Sequence, residues 1–430
     1  MDRRRFLGIA ASAGVVAALG GPARARGANE KVVVGVMGTS RIGSGKSTGR
    51  GSSLAMSLAA LPGAEVAYLC DVDQRLLEAT VADVAGKQAR APKGVKDFRR
   101  ILDDKSVDAI VIAAPDHWHT PATILSCDAG KHVFLEKPGS HNAREGELLV
   151  AAARKHKRIV QLGTQRRSWP ALVEATEALR KGAIGTVHSA QCYLLSDRTS
   201  IGRGKVAPVP ETLDWSLWQG PAPEREFRDN YVHYNWHWFW HWGTSEIGCT
   251  GVHMLDVCRW GLGVGTPVQV TSAGGRLRYD DDQETPDTNI ATFKFENGAL
   301  ITFEGRSWGG RSPADVGHQI AFFGDRGTLT ITGGNYSISD PSGKETAKGS
   351  GETGDAAHLQ NFLDAVRGTA KPNAEIEDGA RSTLLCHLAN IAYRTGRTVN
   401  FDAKARQITG DPQASAFWGR EYRKGWEPKV

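Results

Sequence analysis

The six cysteines of this 430-residue chain form no C-x-x-C pair and no other metal-ligand spacing, so neither a disulfide framework nor a zinc site has support, and no metal is expected. Cys70, Cys127, Cys192, Cys249, Cys258 and Cys386 stand apart, most of them inside apolar runs, and read as buried free thiols. Beyond the N-terminus no apolar run is long enough to span a bilayer, which excludes a membrane-spanning helix from the reading. Basic residues gather into no stripe interleaved with aromatics. Residues 1–25 carry +3 of the formal +6, and nucleic acid is not an expected partner. Internal repeats and low-complexity tracts are absent too. What remains, 40% hydrophobic and 23% charged, is the composition of a globular protein too long for one core.

The chain opens with Arg3-Arg4-Arg5-Phe6-Leu7-Gly8, an apolar stretch from Ile9 to Leu19, and the small-residue site Ala23-Arg24-Ala25. That order is the layout of a twin-arginine signal over residues 1–25, cleaved after Ala25, with no membrane anchor afterwards and a periplasmic destination. The alternative is a frayed basic terminus. Because such proteins fold in the reducing cytosol before export, scattered free thiols are compatible with that destination.

From Val32 onward, apolar runs alternate with helical stretches. Val32 to Met37 precedes a Gly-rich loop and a helix, Val66 to Cys70 ends at Asp71, and Ala109 to Ala113 and His132 to Leu135 follow with helices between. This alternation predicts an α/β fold with a doubly wound parallel sheet over residues 30–163. After Ile159 to Leu162 the texture becomes longer, turn-separated strands such as Val187 to Leu195 and Asn289 to Phe295, with an Asn297-Gly298 hairpin signal. An α+β domain with a large open antiparallel sheet is therefore expected over residues 164–398, and a C-terminal extension over 399–430. An open sheet of this kind usually covers its exposed face with a second copy, so a homo-oligomer is expected through it.

The first loop reads Gly38-Thr39-Ser40, then Gly43, Gly45, Gly49, Arg50 and Gly51 before the helix. Glycine there lets backbone N–H groups approach a pyrophosphate at the helix N-terminus. The spacing is not G-x-G-x-x-G, since Ser40 stands where the second glycine belongs. Context supplies what spacing lacks: a strand before, a helix after, and Asp71 at the end of strand two. A carboxylate there accepts both hydroxyls of an adenine ribose and repels a 2′-phosphate, which points to NAD and leaves NADP open; the alternative is a solvated turn acid. Gly43-Ser44-Gly45-Lys46-Ser47-Thr48 invites a P-loop reading. It fails, because the glycine required five positions before Gly45 is Ser40.

Two further motifs, Ala114-Pro115-Asp116-His117-Trp118-His119 and Leu135-Glu136-Lys137-Pro138, stand at carboxyl ends of parallel strands, where doubly wound sheets bind ligands. With the Gly-rich opening and Gly251-Val252-His253-Met254-Leu255-Asp256, they make the chain resemble the glucose-fructose oxidoreductase, inositol dehydrogenase and rhizopine-catabolism (Gfo/Idh/MocA) family. The resemblance implies that Lys137 lies beside nicotinamide and substrate, with Pro115, His117, His119 and Glu136 around the cofactor. A cation hydrogen-bonding the reacting hydroxyl favours its alkoxide. A cis Lys137-Pro138 bond is compatible with such a turn.

His253 is the second catalytic candidate. On a helix from about Gly248 to Trp260, residues Glu246, Cys249, His253, Asp256 and Trp260 fall on one stripe. Family dehydrogenases usually carry Asp four residues before this histidine, and here Cys249 holds that place. Asp256 or Glu246 is then expected to orient the imidazole; the alternative is a structural histidine. The segment Tyr234 to Trp242 has tryptophan at every second position, so as an extended strand it would present Trp236, Trp238, Trp240 and Trp242 to a pyranose face, with His237 and His241 opposite. The alternative is a core or interface cluster. Gln165 and Arg166, after the last parallel strand, read as substrate ligands or as anchors of the domain junction.

Together these readings imply an exported NAD-dependent oxidoreductase acting on a sugar or polyol, its cofactor retained and reoxidised in place. Two alternatives stand beside it. One is a glycoside hydrolase that uses transient oxidation and elimination, the other a non-catalytic sugar-binding protein on the same fold.

Overall fold

The computed structural model describes residues 31–39, 41–42, 47–309 and 319–430. Ser40 and the stretch 43–46 lie outside the described residues, as does the expected signal at 1–25.

Six strands, β1 (Val32–Met37), β2 (Ala64–Cys70), β3 (Lys93–Val95), β4 (Ala109–Ile112), β5 (His132–Leu135) and β6 (Val160–Leu162), pair in parallel in the order 3-2-1-4-5-6. This is the order of a dinucleotide-binding sheet. Both faces are buried, as parallel strands require. Val32, Val34 and Val36 enter one core with Leu54, Leu58 and Phe362, while Val133 and Leu135 enter another with Trp118, Ile124 and Leu149. Residues of the late helix Ala356–Val366 thus help cover the first sheet, so the chain returns to its N-terminal domain after building the second one.

The second sheet has ten strands. It is mixed and mostly antiparallel: Val187–Leu195 pairs in parallel with Leu300–Arg306 and antiparallel with Ile320–Gly324. Along Thr288–Lys294 the inward residues Asn289, Ala291 and Phe293 are buried and the residues between them are not, the period-2 pattern of a half-covered sheet. Its buried face packs on helices Pro170–Arg180, Val252–Leu262 and Ile376–Thr395. Strands Val399–Asp402 and Gln407–Thr409 complete its edge, so residues 399–409 belong to the sheet and the extension proper begins after them.

All six cysteines are free and buried, as their apolar surroundings implied. One helix begins earlier than its sequence suggests. Pro121 reads as a helix start, yet the helix runs Asp116–Asp128 from Pro115, with Pro121 inside. A proline there removes the N–H that would bond the carbonyl four residues back, which is His117. That carbonyl instead accepts from Arg420 Nη2 at 2.7 Å. The C-terminal extension is held at this point, and Tyr422 and Arg420 also bond the fully buried Glu145.

The first helix, Arg50–Ala60, packs hard against the end of β1. A Cβ on Gly51 would fall 1.6 Å from the Gly38 carbonyl oxygen, and one on Gly38, at φ +89°, would meet the Ala113 oxygen at 2.6 Å. Gly51→Ala is expected to push the helix off the strand end and cost about 1–3 kcal/mol, measured by denaturant unfolding. A variant as stable as the parent would show that this contact is loose.

Candidate active site

Two adjoining cavities open at the carboxyl ends of β1, β2, β4 and β5. Met37, Gly38, Asp71, Phe98, Pro115 and Trp118 line the first, and Arg50, Asp116, His119, Glu136, Lys137 and Cys249 line the second. Ala113, Ala114, His233 and Trp236 belong to both, so the two are one cleft with two ends.

At the first end, Asp71 Oδ2 accepts from the Thr39 amide at 2.6 Å and its hydroxyl at 3.2 Å, and Oδ1 accepts from the Asp73 amide at 3.0 Å. Burial raises the carboxyl above its usual range, and these hydrogen bonds oppose that rise. Thr39 is itself fixed, because its carbonyl accepts from Ser52 Oγ at 2.7 Å. The Arg50–Ala60 helix has no side-chain cap and no acid in its first turn, so among the described residues no carboxylate caps its N-terminal amides. A Gly38–Gly51 contact that no Cβ fits, uncapped amides and Asp71 across the loop together form a cradle that suits a dinucleotide.

At the second end, every residue after β5 is pinned by a different element. Glu136 Oε1 accepts from Arg50 Nε at 2.7 Å, and Arg50 also grips Asp355 at 2.7 and 2.8 Å. Lys137 Nζ donates to the Cys249 carbonyl at 2.8 Å. The Lys137-Pro138 peptide is cis. His119 Nδ1 lies 2.5 Å from the Pro138 oxygen, its Nε2 lies 2.8 Å from that of Ala114, and Gly139 N donates to Thr383.

Cys249 sits in a π-helical turn, Ile247–Gly251, that leads into Val252–Leu262. The wide turn breaks the 3.6-residue register and the stripe expected from Glu246 to Trp260 with it. Its members part. Cys249 lines the cleft. Glu246 pairs with Arg198 at 3.1 Å and accepts from Ser196, which sets Arg198 on the cleft wall. Asp256, expected in catalysis, is bound bidentately by Arg167 at 2.7 Å and by Ser382 at 2.7 Å, and is almost fully buried. It forms a buried ion pair with Arg167 that engages both its oxygens, and it lines neither end of the cleft. His253 lies outside the residues lining the cleft, its Nδ1 buried without a partner. Burial, then the charges of Lys137, Arg166 and Arg50, hold it well below the usual histidine range and so neutral.

The tryptophan segment does not form a strand. Asn235–Trp238 is a 3-10 helix, whose three-residue turn scatters alternate positions, so the four indoles share no face. Trp236 and His237 reach the cleft, stacked with centroids 3.6 Å apart. Trp238 and Trp242 are buried, and Trp242 packs with Trp215, Trp218 and Tyr231 in an aromatic core behind the cleft wall. Trp240 and His241 turn away; His241 bonds the Pro223 carbonyl. His117 is also removed from the cleft, packed on Trp218 with Nε2 3.1 Å from its carbonyl. Gln165 and Arg166 stand outside both lining sets, and Arg166 bonds Gln319 across to the second sheet, the junction role.

Sequence reasoning passed over Asp116, Thr244, Arg198 and Tyr234. Asp116 was legible as the first residue after Pro115; it is buried, accepts from Thr244 Oγ1 at 2.6 Å, and burial raises its carboxyl. Arg198 comes from a long irregular stretch with no period to mark it, and Tyr234 opens the segment read for its tryptophans alone.

Residues 32–164 match the family described as the oxidoreductase family, NAD-binding Rossmann fold, and residues 199–428 match that family's C-terminal alpha/beta domain. The chain is 28% identical over 183 residues to levoglucosan dehydrogenase of Pseudarthrobacter phenanthrenivorans, covering 43% of this chain and 40% of that one. It is 28% identical over 248 residues to inositol 2-dehydrogenase 2 of Saccharopolyspora erythraea, 57% and 60% of the two chains. A glycosyl hydrolase family 109 protein of Parabacteroides distasonis is 24% identical over 255 residues, 56% and 53%. The chain thus spans about half the length of the curated relatives it matches. Among solved structures, levoglucosan dehydrogenase in complex with NADH and levoglucosan shares the fold with a TM-score of 0.66 at 17% identity, over 86% of this chain and 99% of that one. The WlbA dehydrogenase from Bordetella pertussis, in complex with NADH and UDP-GlcNAcA, does so with 0.65 at 19%, over 87% and 98%.

The placement of Asp256 makes a separable prediction. Asp256→Ala leaves Arg167 buried with one partner fewer and is expected to cost about 3 kcal/mol of stability, while NAD affinity, read by tryptophan quenching, stays unchanged. A stable variant that no longer binds NAD would return Asp256 to the site.

Proposed function

The chain belongs to the Gfo/Idh/MocA oxidoreductase family, and on that premise we propose that it oxidises or reduces a sugar or polyol at a carbinol carbon, with NAD held in the cleft. The observation that carries this reading is Lys137. Among the described residues its ammonium has one hydrogen-bond partner, the Cys249 carbonyl, and it lines the cleft beside Asp116, Tyr234 and His237.

NAD, when bound, supplies the hydride acceptor. Asp71 keeps lone pairs beyond those Thr39 and Asp73 fill, and these would hold ribose hydroxyls, while its charge favours NAD over NADP. The two remaining N–H groups of Lys137 would hold the reacting oxygen and stabilise it as its proton leaves. The family resemblance assigns that proton to His253, which stands behind the residues lining the cleft with its Nδ1 buried and unpartnered, so the proton would have to reach it through the cleft wall. Levoglucosan and inositol dehydrogenases among the relatives support a sugar or polyol as the substrate class.

A second reading, redox-assisted cleavage of a glycosidic bond, has a specific observation in its favour. It needs a further proton-moving group, because a transient ketone acidifies the neighbouring C–H. His237 qualifies: Nδ1 donates to the Tyr234 carbonyl at 2.6 Å, which leaves Nε2 as the free lone pair, and burial holds the ring neutral, down to about 4. The family 109 relative supports the same reading.

The proposal extends to export by the twin-arginine route to the periplasm, supported by the first 25 residues, and there NAD would travel as a retained group. A homo-oligomer through the second sheet is supported by exposed Ile290 and Leu300 on its uncovered face.

The test incubates purified protein with NAD and a panel of sugars, polyols and glycosides and follows reduced-nicotinamide absorbance. Reduction by at least one sugar or polyol is expected, and Asp71→Ala should erode the preference for NAD over NADP by about tenfold, roughly 1.4 kcal/mol. Free monosaccharide from a glycoside without net reduction selects the second reading. No reduction and no release with any compound would overturn both.

A further inference from the structure

A cavity of about 450 Å³ lies on the far side of the wall that Thr244 and Asp116 form. Thr244 lines it, while the carboxyl its hydroxyl bonds faces the cleft already described. Its other walls come from the start of the Ala143–Lys155 helix, the Ile376–Thr395 helix and the C-terminal stretch Phe417 to Glu421. The reaction proposed above uses none of these.

The lining is rich in donors and poor in acceptors. Arg394 lies with its guanidinium 4.0 Å from the Phe417 ring centre and 5.0 Å from that of Trp240, a cation held between two aromatic faces. Among the described residues Arg394 makes no ion pair. The acid that acts on it, Glu284, is engaged by the Trp240 amide at 2.8 Å and by Arg225 at 3.6 Å. On the same wall, both ring nitrogens of His141, Asn142 Nδ2 and Arg420 Nη1 are buried without a hydrogen-bond partner. Arg420 spends its other nitrogens on Glu145 and the His117 carbonyl. Glu421 is the one acid in the lining. Buried polar groups in native proteins are nearly always paired, so the unpaired Asn142 Nδ2, Arg420 Nη1 and the one N–H of the neutral His141 ring, set just behind a wall that carries the unpaired Arg394, mark the place of an acceptor-rich anion.

We propose that this cavity binds a small oxyanion, the carboxylate or phosphate group of an organic ligand, gripped by the Arg394 fork with the donors of Asn142, His141 and Arg420 behind it. The site is distinct from the dinucleotide cradle, from which Thr244 and Asp116 separate it.

The test is calorimetry on protein saturated with NAD, which occupies the pyrophosphate cradle, titrated separately with malonate and with inorganic phosphate against a chloride control at equal ionic strength. Saturable binding of at least one oxyanion is expected, and the stronger of the two tells a carboxylate ligand from a phosphate one. Arg394→Gln should weaken it at least tenfold, with partial recovery in Arg394→Lys, which keeps the charge without the fork. Arg394 is on the surface, so both variants should fold, as thermal unfolding will verify. No saturable binding, or binding equally strong in Arg394→Gln, would overturn the proposal.

Discussion

The chain segment just after β5 carries the constraint on which the rest of the site depends. Between Glu136 and Gly139 each residue is tied to a different element: Glu136 to the first helix through Arg50, Lys137 to the π-turn of the second domain, Pro138 to the helix after β4, and Gly139 to the long late helix. Of these ties the one from Lys137 Nζ to the Cys249 carbonyl matters most, because it spans the two domains and fixes an ammonium at the cleft with two donors to spare. A lysine free to swing would lose several rotamers' entropy at every turnover; one held by a carbonyl has lost it already.

The opposite end of the cleft is built on the same plan with other groups. The Gly38–Gly51 contact brings the helix N-terminus to the strand end, and Asp71 locks the loop through Thr39. The C-terminal extension then closes the outside. Trp426 packs edge-on against Trp118, a wall of the first cavity, and Arg423 bonds Ser216 on the second domain. Pro121 contributes to this closure by freeing the carbonyl that Arg420 takes.

Much of this was legible in the sequence because it rests on short-range pattern. The parallel sheet followed from alternation, Asp71 from its place after strand two, and Lys137 from a motif at a strand end. Two of the failures share a cause: each extrapolated one period into a segment whose helix type differs. Tryptophan at every second position implied a strand, but a 3-10 turn at Asn235–Trp238 sent Trp238 into the interior and Trp236 to the cleft. The stripe through Glu246, Cys249 and Asp256 assumed an α-helix where a π-turn stands, and Asp256 went to Arg167. His117 and His119 lie two apart on a helix and so face different ways, one to Trp218 and one to the cleft. Arg198 was beyond reach, since only its tertiary contact with Glu246 brings an irregular loop to that wall.

The central claim, that the anchored Lys137 serves the reacting oxygen and not the cofactor's affinity, is tested most directly by single-turnover reduction of NAD-loaded protein in Lys137→Met. The account predicts unchanged NAD binding and reduction slowed by about 10²–10⁴-fold. Reduction at nearly the parent rate, or loss of NAD binding with the rate on bound NAD preserved, would contradict it.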